Sequence, residues 1–403
     1  MIKKHYEKVI ITCCFMFVFV NIGMTSTAFS VHQPYLVIIE GVGDTGGALI
    51  LSVRTIVSLL VMLAVDRYYQ LLDVRRGVAL ACFFTSLGFF AYSFASTLPQ
   101  FFLGAVATGM GYGLGGLVAM TLLANRWYKE GMGTALGFAT MGSGIASIVM
   151  PLVVVAIIEA HSLSSAFFFE GLFSLAAAIA MLLLIRNNPA DMGLSPYEGK
   201  PNKTRRAHPR AQLVEAPKHE RLLFLFAMVL VGAYCSGGMV YISVLATSSG
   251  FSSVFAALVL STAGVALAVS KFATGVLFDL IGVPRGSLVV FVIGAIGFTL
   301  CLFLSSGNPA IMIAAAIFLG AGFSHGSVGI SAWSLDTAPK DQVARHVKHC
   351  QMGFTLGSIF TNTLPGIIKD LTSSYVVSYM GMFVLMLICA FIVLRYYRVF
   401  AAK

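Results

Sequence analysis

Apolar residues in this chain neither alternate nor keep to one helical stripe. They run on, roughly 20 at a time, before a charge, a proline or a polar cluster interrupts them. That is the length a helix needs to cross the hydrocarbon core of a bilayer. The runs predict spans over 9–31, 46–65, 78–97, 100–124, 132–158, 165–185, 222–245, 253–277, 286–306, 309–334, 344–368 and 373–394. Gly, Ala and Ser recur within them and no alternating pattern appears, which favours helices over an outer-membrane barrel. The expected class is an all-α integral membrane protein with twelve transmembrane helices. The basic start Met1-Ile2-Lys3-Lys4 mimics a signal peptide. The apolar run from Val9 towards Ser30 is long for a signal core, however, so it reads as a retained first span.

The polar positions organise these spans. The one long polar stretch, 187–221, holds Pro189, Pro196, Pro201, Pro209 and Pro217 and is rich in charge. It reads as a cytoplasmic linker between an N-terminal six-helix bundle, 1–186, and a C-terminal one, 222–403. Two equal halves predict a transporter built of repeats, with its substrate site between them near the midplane. With the amino terminus inside, 23 of the 26 Lys and Arg fall in inner segments. Lys369 falls in an outer loop, and Arg54 and Lys271 lie inside spans. This asymmetry predicts both termini in the cytoplasm, for a chain in the inner (plasma) membrane.

Composition then excludes alternatives. Of 403 residues, 58% are hydrophobic and 10% charged, against about 25% charged in soluble domains. A soluble enzyme, a disordered chain and a nucleic-acid module are all excluded. The formal net charge of +10 follows from basic inner loops rather than from a nucleic-acid partner. Seven cysteines lie mostly in apolar runs and read as small core residues. No Walker loop, metal-ligand spacing or nucleophile constellation is present, so no cofactor, metal or catalytic residue is expected.

The halves echo each other. Met62-Leu63-Ala64-Val65-Asp66-Arg67 at the end of span two is followed by Arg75-Arg76-Gly77, and Gly275-Val276-Leu277-Phe278-Asp279 at the end of span eight by Gly282 and Arg285. Span four carries Gly109-Met110-Gly111-Tyr112-Gly113 and leads to Asn125-Arg126-Trp127-Tyr128. Span five carries Gly133-Thr134-Ala135-Leu136-Gly137, and the linker opens Asn188-Pro189-Ala190-Asp191-Met192-Gly193. This ordered set resembles the major facilitator superfamily, and within it the monocarboxylate transporter and oxalate/formate antiporter branch. The resemblance implies the major facilitator fold and secondary transport of small organic anions by alternating access. It further implies that Asp279 faces the start of span five and Asp66 the start of span eleven, stabilising the outward-open state. Asp66, Arg67, Arg76, Arg126, Asp279 and Arg285 are then the gating set.

Charges inside a membrane are costly and mark function. Lys271 lies eight residues, about 12 Å, from the helix end marked by Asp279. Gly264 and Gly275 share its face, a stripe suited to a cavity or to close helix packing. In the resembled family an Arg for the substrate carboxylate stands here; Lys is a point charge instead. The alternative is a cation paired with a carboxylate elsewhere. Arg54 either lines the outer half of the pathway or pairs with Asp44 or Glu40. Both cations on one cavity would suit a dicarboxylate. Glu170, one turn inside span six, is either an interfacial acid or a proton site. His325 in span ten is either a relay or a structural hydrogen-bonder. Asn21, Thr25 and Gln33 are the better polar candidates of span one, and Tyr112 and Tyr241 can orient an anion through their hydroxyls.

Two departures from the branch stand out. Leu267 occupies the place of a proton-coupling Asp, and Met352 that of a second cation. Proton symport, anion exchange and facilitated diffusion stay open. The expected partners are a small organic anion, protons or a counter-anion, and the bilayer, with a monomeric chain. The competing classes are a proton-coupled drug exporter, which the basic deep charges disfavour, and a non-transporting membrane sensor.

Overall fold

The computed structural model describes residues 5–26, 28–36, 38–198, 217–304, 307–339, 342–372 and 374–400. Side chains at 30, 33, 34, 43–45, 48, 253, 254, 257, 362, 363, 366 and 370 lie outside the description, as does 199–216, most of the expected linker. Among the described residues, ten helices are long and apolar enough to cross a membrane, or eleven if the bent pair of span two counts as one. The 30-residue helix Val343–Thr372 supplies span eleven. Each half therefore holds six spans, as the apolar runs predict.

The backbone divides into two compact units. One is Met1–Lys129 with Phe138–Glu198; the other is Glu130–Gly137 with Gly199–Lys403. In the first, span three packs on spans four and six, and span two on span four. In the second, span nine packs on ten and twelve, and span eight on ten. The same pairs recur in both, so the repeat read from the sequence is a repeat of packing.

Lipid supplies no hydrophobic drive between helices, so close backbone approach through small residues must hold them. A Cβ at Gly142 of span five would meet the Phe15 carbonyl of span one. The equivalent contact joins spans seven and eleven, where a Cβ at Gly232 would meet Phe354 O and one at Gly357 would meet Val229 O. Replacing Gly357 by leucine should separate these helices, with a cost of at least about 1–3 kcal/mol for overpacking. The expected result is a clearly lower thermal midpoint in detergent. An unchanged midpoint would show that the approach is not tight.

Several spans expected as single helices are broken. Span one is α-helical over Tyr6–Val18, π-helical over Phe19–Met24 and 3-10 over Ala28–His32. Span two, Gly43–Met62, bends by 61° into a short helix, Val65–Leu71. Asp66 therefore opens a new helix instead of closing span two, unlike Asp279 near the end of Ser253–Ile281. Span four parts at Gly115-Gly116 into Leu98–Leu114 and Leu117–Trp127. Span seven parts at Tyr241 into Lys218–Val240 and Ile242–Ser248. Span ten runs as Pro309–Gly322, a 3-10 turn Phe323–Gly326, and Val328–Asp336. The first and fourth spans of each unit are thus interrupted, and in the first unit span two as well.

Beyond span six the chain turns back along its own unit. Tyr197 N donates to Trp127 O at 2.8 Å and Lys129 N to Tyr197 O at 2.9 Å. Lys129 Nζ donates to Glu198 at 2.7 Å. That hydrogen bond and the ammonium charge hold the exposed Glu198 carboxyl below its ordinary range.

Candidate functional site

Broken helices free carbonyls that must find donors inside the protein. In the first unit Asn21, on the π-helical turn, meets this need. Its Nδ2 donates to Gly115 O at 3.2 Å and to Cys82 Sγ at 3.3 Å, while Oδ1 accepts from Thr85 at 2.7 Å. Tyr69 OH donates to Leu114 O at 2.6 Å. Asn21 is fully buried, and this network joins it to spans three and four. Thr25 Oγ1 donates to Asn21 O at 2.6 Å.

Arg54 stands on span two beside this break. Its guanidinium donates to Thr25 O and, at 3.4 Å, to Thr55 Oγ1. It also lies over the Tyr112 ring, 5.6 Å from the centroid. The glycines of span four allow this approach, since a Cβ at Gly109 would meet Arg54 O. The structure therefore brings Arg54, Thr25, Asn21 and Tyr112 together on spans one, two and four. The side chain of Gln33 lies outside the described residues.

The second unit repeats the plan. Cys235 of span seven takes the place of Asn21, its Sγ directed at Phe323 O at 3.7 Å, on the break of span ten. Lys271 lies on span eight, the second span of this unit, as Arg54 lies on span two. It is 7% exposed and lies within electrostatic reach of Cys235. One turn on, Thr274 Oγ1 and Ser324 Oγ of the 3-10 turn are 2.8 Å apart. A Cβ at Gly264 would meet only the end of Met239, so that face is open, whereas Gly275 lies against Gly133. Of the stripe beside Lys271, the Gly275 end is thus a place of close helix packing.

His325 and Tyr241 sit elsewhere. The His325 ring packs against Phe291 at 4.1 Å and Trp333 at 4.9 Å, with Tyr234 OH 3.4 Å from Nδ1. It is fully buried among aromatic rings, away from the Thr274–Ser324 contact made by its neighbour. Tyr241 marks the break of span seven and pairs with Tyr375 at 5.7 Å.

Among the residues expected to form the gating set, Asp279 makes the clearest contacts. Gly133 N donates to its Oδ1 at 2.8 Å, and Thr134 N and Oγ1 donate to its Oδ2 at 2.7 and 2.5 Å. The carboxylate thereby caps the helix Met132–Ala160, whose first N–H groups have no partner within the helix. Asp73, with φ of 52°, accepts from Arg76 N at 2.8 Å. Arg126 lies within electrostatic reach of Asp191 and Asp73. Arg67, Arg76 and Arg285 are exposed.

Sequence reasoning missed two residues. Cys235 reads as a small core residue until the break of span ten is known. His32, at the end of the 3-10 turn, places Nε2 3.0 Å from Glu170 Oε2, and both side chains are fully buried. An acid inside an apolar run was the available signal, since it calls for a base at the same depth.

Two six-span units, each with interrupted first and fourth spans and a cation on its second span, half-buried at Arg54 and buried at Lys271, have the architecture of a multi-span membrane transporter. The chain belongs to the Major Facilitator Superfamily, whose sequence model matches residues 11–283 and 222–401. It is similar to "Monocarboxylate transporter 13" of Bos taurus, 23% identical over 309 residues, 76% of this chain and 69% of that one. Among solved structures it resembles the E. coli fucose:proton symporter, with a TM-score of 0.65 and 14% identity over 97% of this chain and 98% of that one. It also resembles a bacterial homologue of the iron transporter ferroportin in its outward-facing state, with a TM-score of 0.73 and 12% identity over 98% and 100% of the two chains. At these identities the structural likenesses speak for the fold alone.

Proposed function

We propose that the chain is a secondary transporter of a small organic anion, a mono- or dicarboxylate, working by alternating access in the plasma membrane. The observation that carries this reading is the pair of cations, Arg54 and Lys271. Each sits on the second span of its unit, Lys271 buried and Arg54 half-buried against Thr25 O and the Tyr112 ring. A cation held away from water keeps its attraction for a carboxylate unscreened. Its burial costs several kcal/mol, which packing alone would not require. The likeness to a monocarboxylate transporter supports the same substrate class.

The test is uptake of labelled mono- and dicarboxylates into proteoliposomes, beside Arg54→Gln. Saturable uptake of one anion, with an apparent affinity about ten-fold weaker in the variant, supports the reading. Should Arg54→Gln weaken uptake of a dicarboxylate but spare a monocarboxylate, Arg54 holds the second carboxylate. Absence of anion uptake, with efflux of hydrophobic cations in its place, would refute the reading.

A further inference from the structure

We propose that His32 and Glu170 form a proton-binding site in the first unit, linked through Tyr92 to Arg54, so that the anion moves with a proton. This rests on the anion reading above. His32 Nδ1 lies 3.2 Å from Phe29 O, which turns Nε2 towards Glu170. The 3.0 Å approach to Oε2 lacks hydrogen-bond alignment. Neither Glu170 oxygen has an aligned donor among the described residues, and Ser174 Oγ, one turn along span six, also has no partner there. Aromatic rings enclose the pair. Phe167 stacks on the imidazole at 4.4 Å, Phe29 lies 5.2 Å from it, and Tyr92 lies 5.2 Å from Phe167.

A carboxylate buried in this way cannot stand alone. Either it faces an imidazolium, or it carries the proton beside a neutral ring. Both arrangements hold the same number of protons and have no net charge. Loss of one proton leaves a neutral imidazole, a carboxylate and one uncompensated negative charge. The titratable groups facing the pair are Tyr92 from span three and, beyond it, Arg54 from span two. Tyr92 lies between them: its ring packs on Phe167, its hydroxyl is 3.2 Å from Thr108 Oγ1, and Gly109, the next residue, lies against the Arg54 backbone. With the proton bound, Arg54 offers its full charge to an anion. With the proton lost, the new negative charge competes for Arg54. Proton and anion therefore favour each other's binding, and the coupling is reciprocal.

A route to the pair is at hand. A cavity of about 460 Å³ is lined by Tyr35, Tyr92, Ser93, Ser164 and Phe167 among others. Phe167 also stacks on His32, with Tyr92 packed on Phe167, so the pair lies one ring away from the cavity. Rotation of Phe167 would open it.

The experiment compares gradient-driven accumulation with counterflow at equal pH, in proteoliposomes of wild type, Glu170→Gln and His32→Gln. Counterflow moves no net proton. The expected result is a ratio of accumulation to counterflow about ten-fold lower in both variants. A wild-type ratio in Glu170→Gln overturns the proposal. Infrared difference spectra of purified wild type across a pH series provide a readout that does not depend on transport. A buried-carboxyl band that responds to pH and is lost in Glu170→Gln supports the site, even where a variant transports too poorly to be scored. If no anion is taken up but the band is present, the proton site stands and the anion reading fails. If neither a carboxyl band nor an imidazole band lost in His32→Gln responds to pH, the proton site fails, whatever the transport result.

Discussion

Replacing Lys271 by alanine should lower anion uptake by about ten- to a hundred-fold while leaving the protein folded. The magnitude follows from losing one charged hydrogen bond, about 1.5–3 kcal/mol, at about 1.4 kcal/mol per factor of ten. Lys271 is 7% exposed and engaged with its surroundings, so its removal is read by the thermal midpoint in detergent beside uptake. A midpoint close to that of wild type separates lost binding from misfolding. Lys271→Arg should restore part of the uptake, since charge returns. It should not restore all of it, because a planar guanidinium fork does not reproduce the point charge of the ammonium. Initial rates over a series of anion concentrations decide the matter. Full uptake in Lys271→Ala would remove Lys271 from the substrate and leave Arg54 as the cation to examine.

The residues legible from sequence share one property: their meaning is local. Twenty apolar residues in a row imply a span whatever surrounds them. Asp279 in its glycine motif implied a contact with the start of span five, and Gly133 and Thr134 donate to it there. The interruptions were not legible. Span four contains Gly109, Gly111, Gly113, Gly115 and Gly116, and the sequence does not say which pair breaks the helix. The choice falls on Gly115-Gly116 because Asn21, almost a hundred residues earlier, supplies a donor there. For the same reason Asn21 read as a cavity-lining candidate, although its amide is occupied by three partners within its own unit. His325 is the mirror case, since the rings that surround it come from spans nine and ten. The likeness between Asp66 and Asp279 held for residue type but not for placement, because the 61° bend falls before Asp66. His32 escaped notice since its partner is 138 residues away and a histidine at a helix end has ordinary explanations.

Asp279→Asn should release the first turn of span five, and the release should be seen directly at the backbone. The carboxylate accepts from Gly133 N, Thr134 N and Thr134 Oγ1. These donors converge on a helix start, where the peptide dipoles add positive charge. The asparagine amide can replace one acceptor oxygen, but it turns an N–H group towards donors already present and loses the charge. The expected cost is about 2–4 kcal/mol, from charged hydrogen bonds of about 1.5–3 kcal/mol each that do not sum fully. The glycines sharpen the effect. Gly133 and Gly275 approach so closely that a Cβ on either would strike the other's backbone, so small movements there break contacts outright. Hydrogen–deuterium exchange of a peptide spanning Gly131–Gly137 reads the result. Exchange at least about ten-fold faster in the variant is expected, with peptides from spans nine and twelve unchanged. Equal exchange in both proteins would mean that the helix start is held by its glycine packing alone. Under the alternating-access reading, the latch must open once per cycle, so the same variant should also shift the carrier away from the state in which Asp279 is docked. Its transport rate should then change without a change in which anion it accepts. A changed substrate preference with unchanged exchange would place Asp279 in recognition instead of gating.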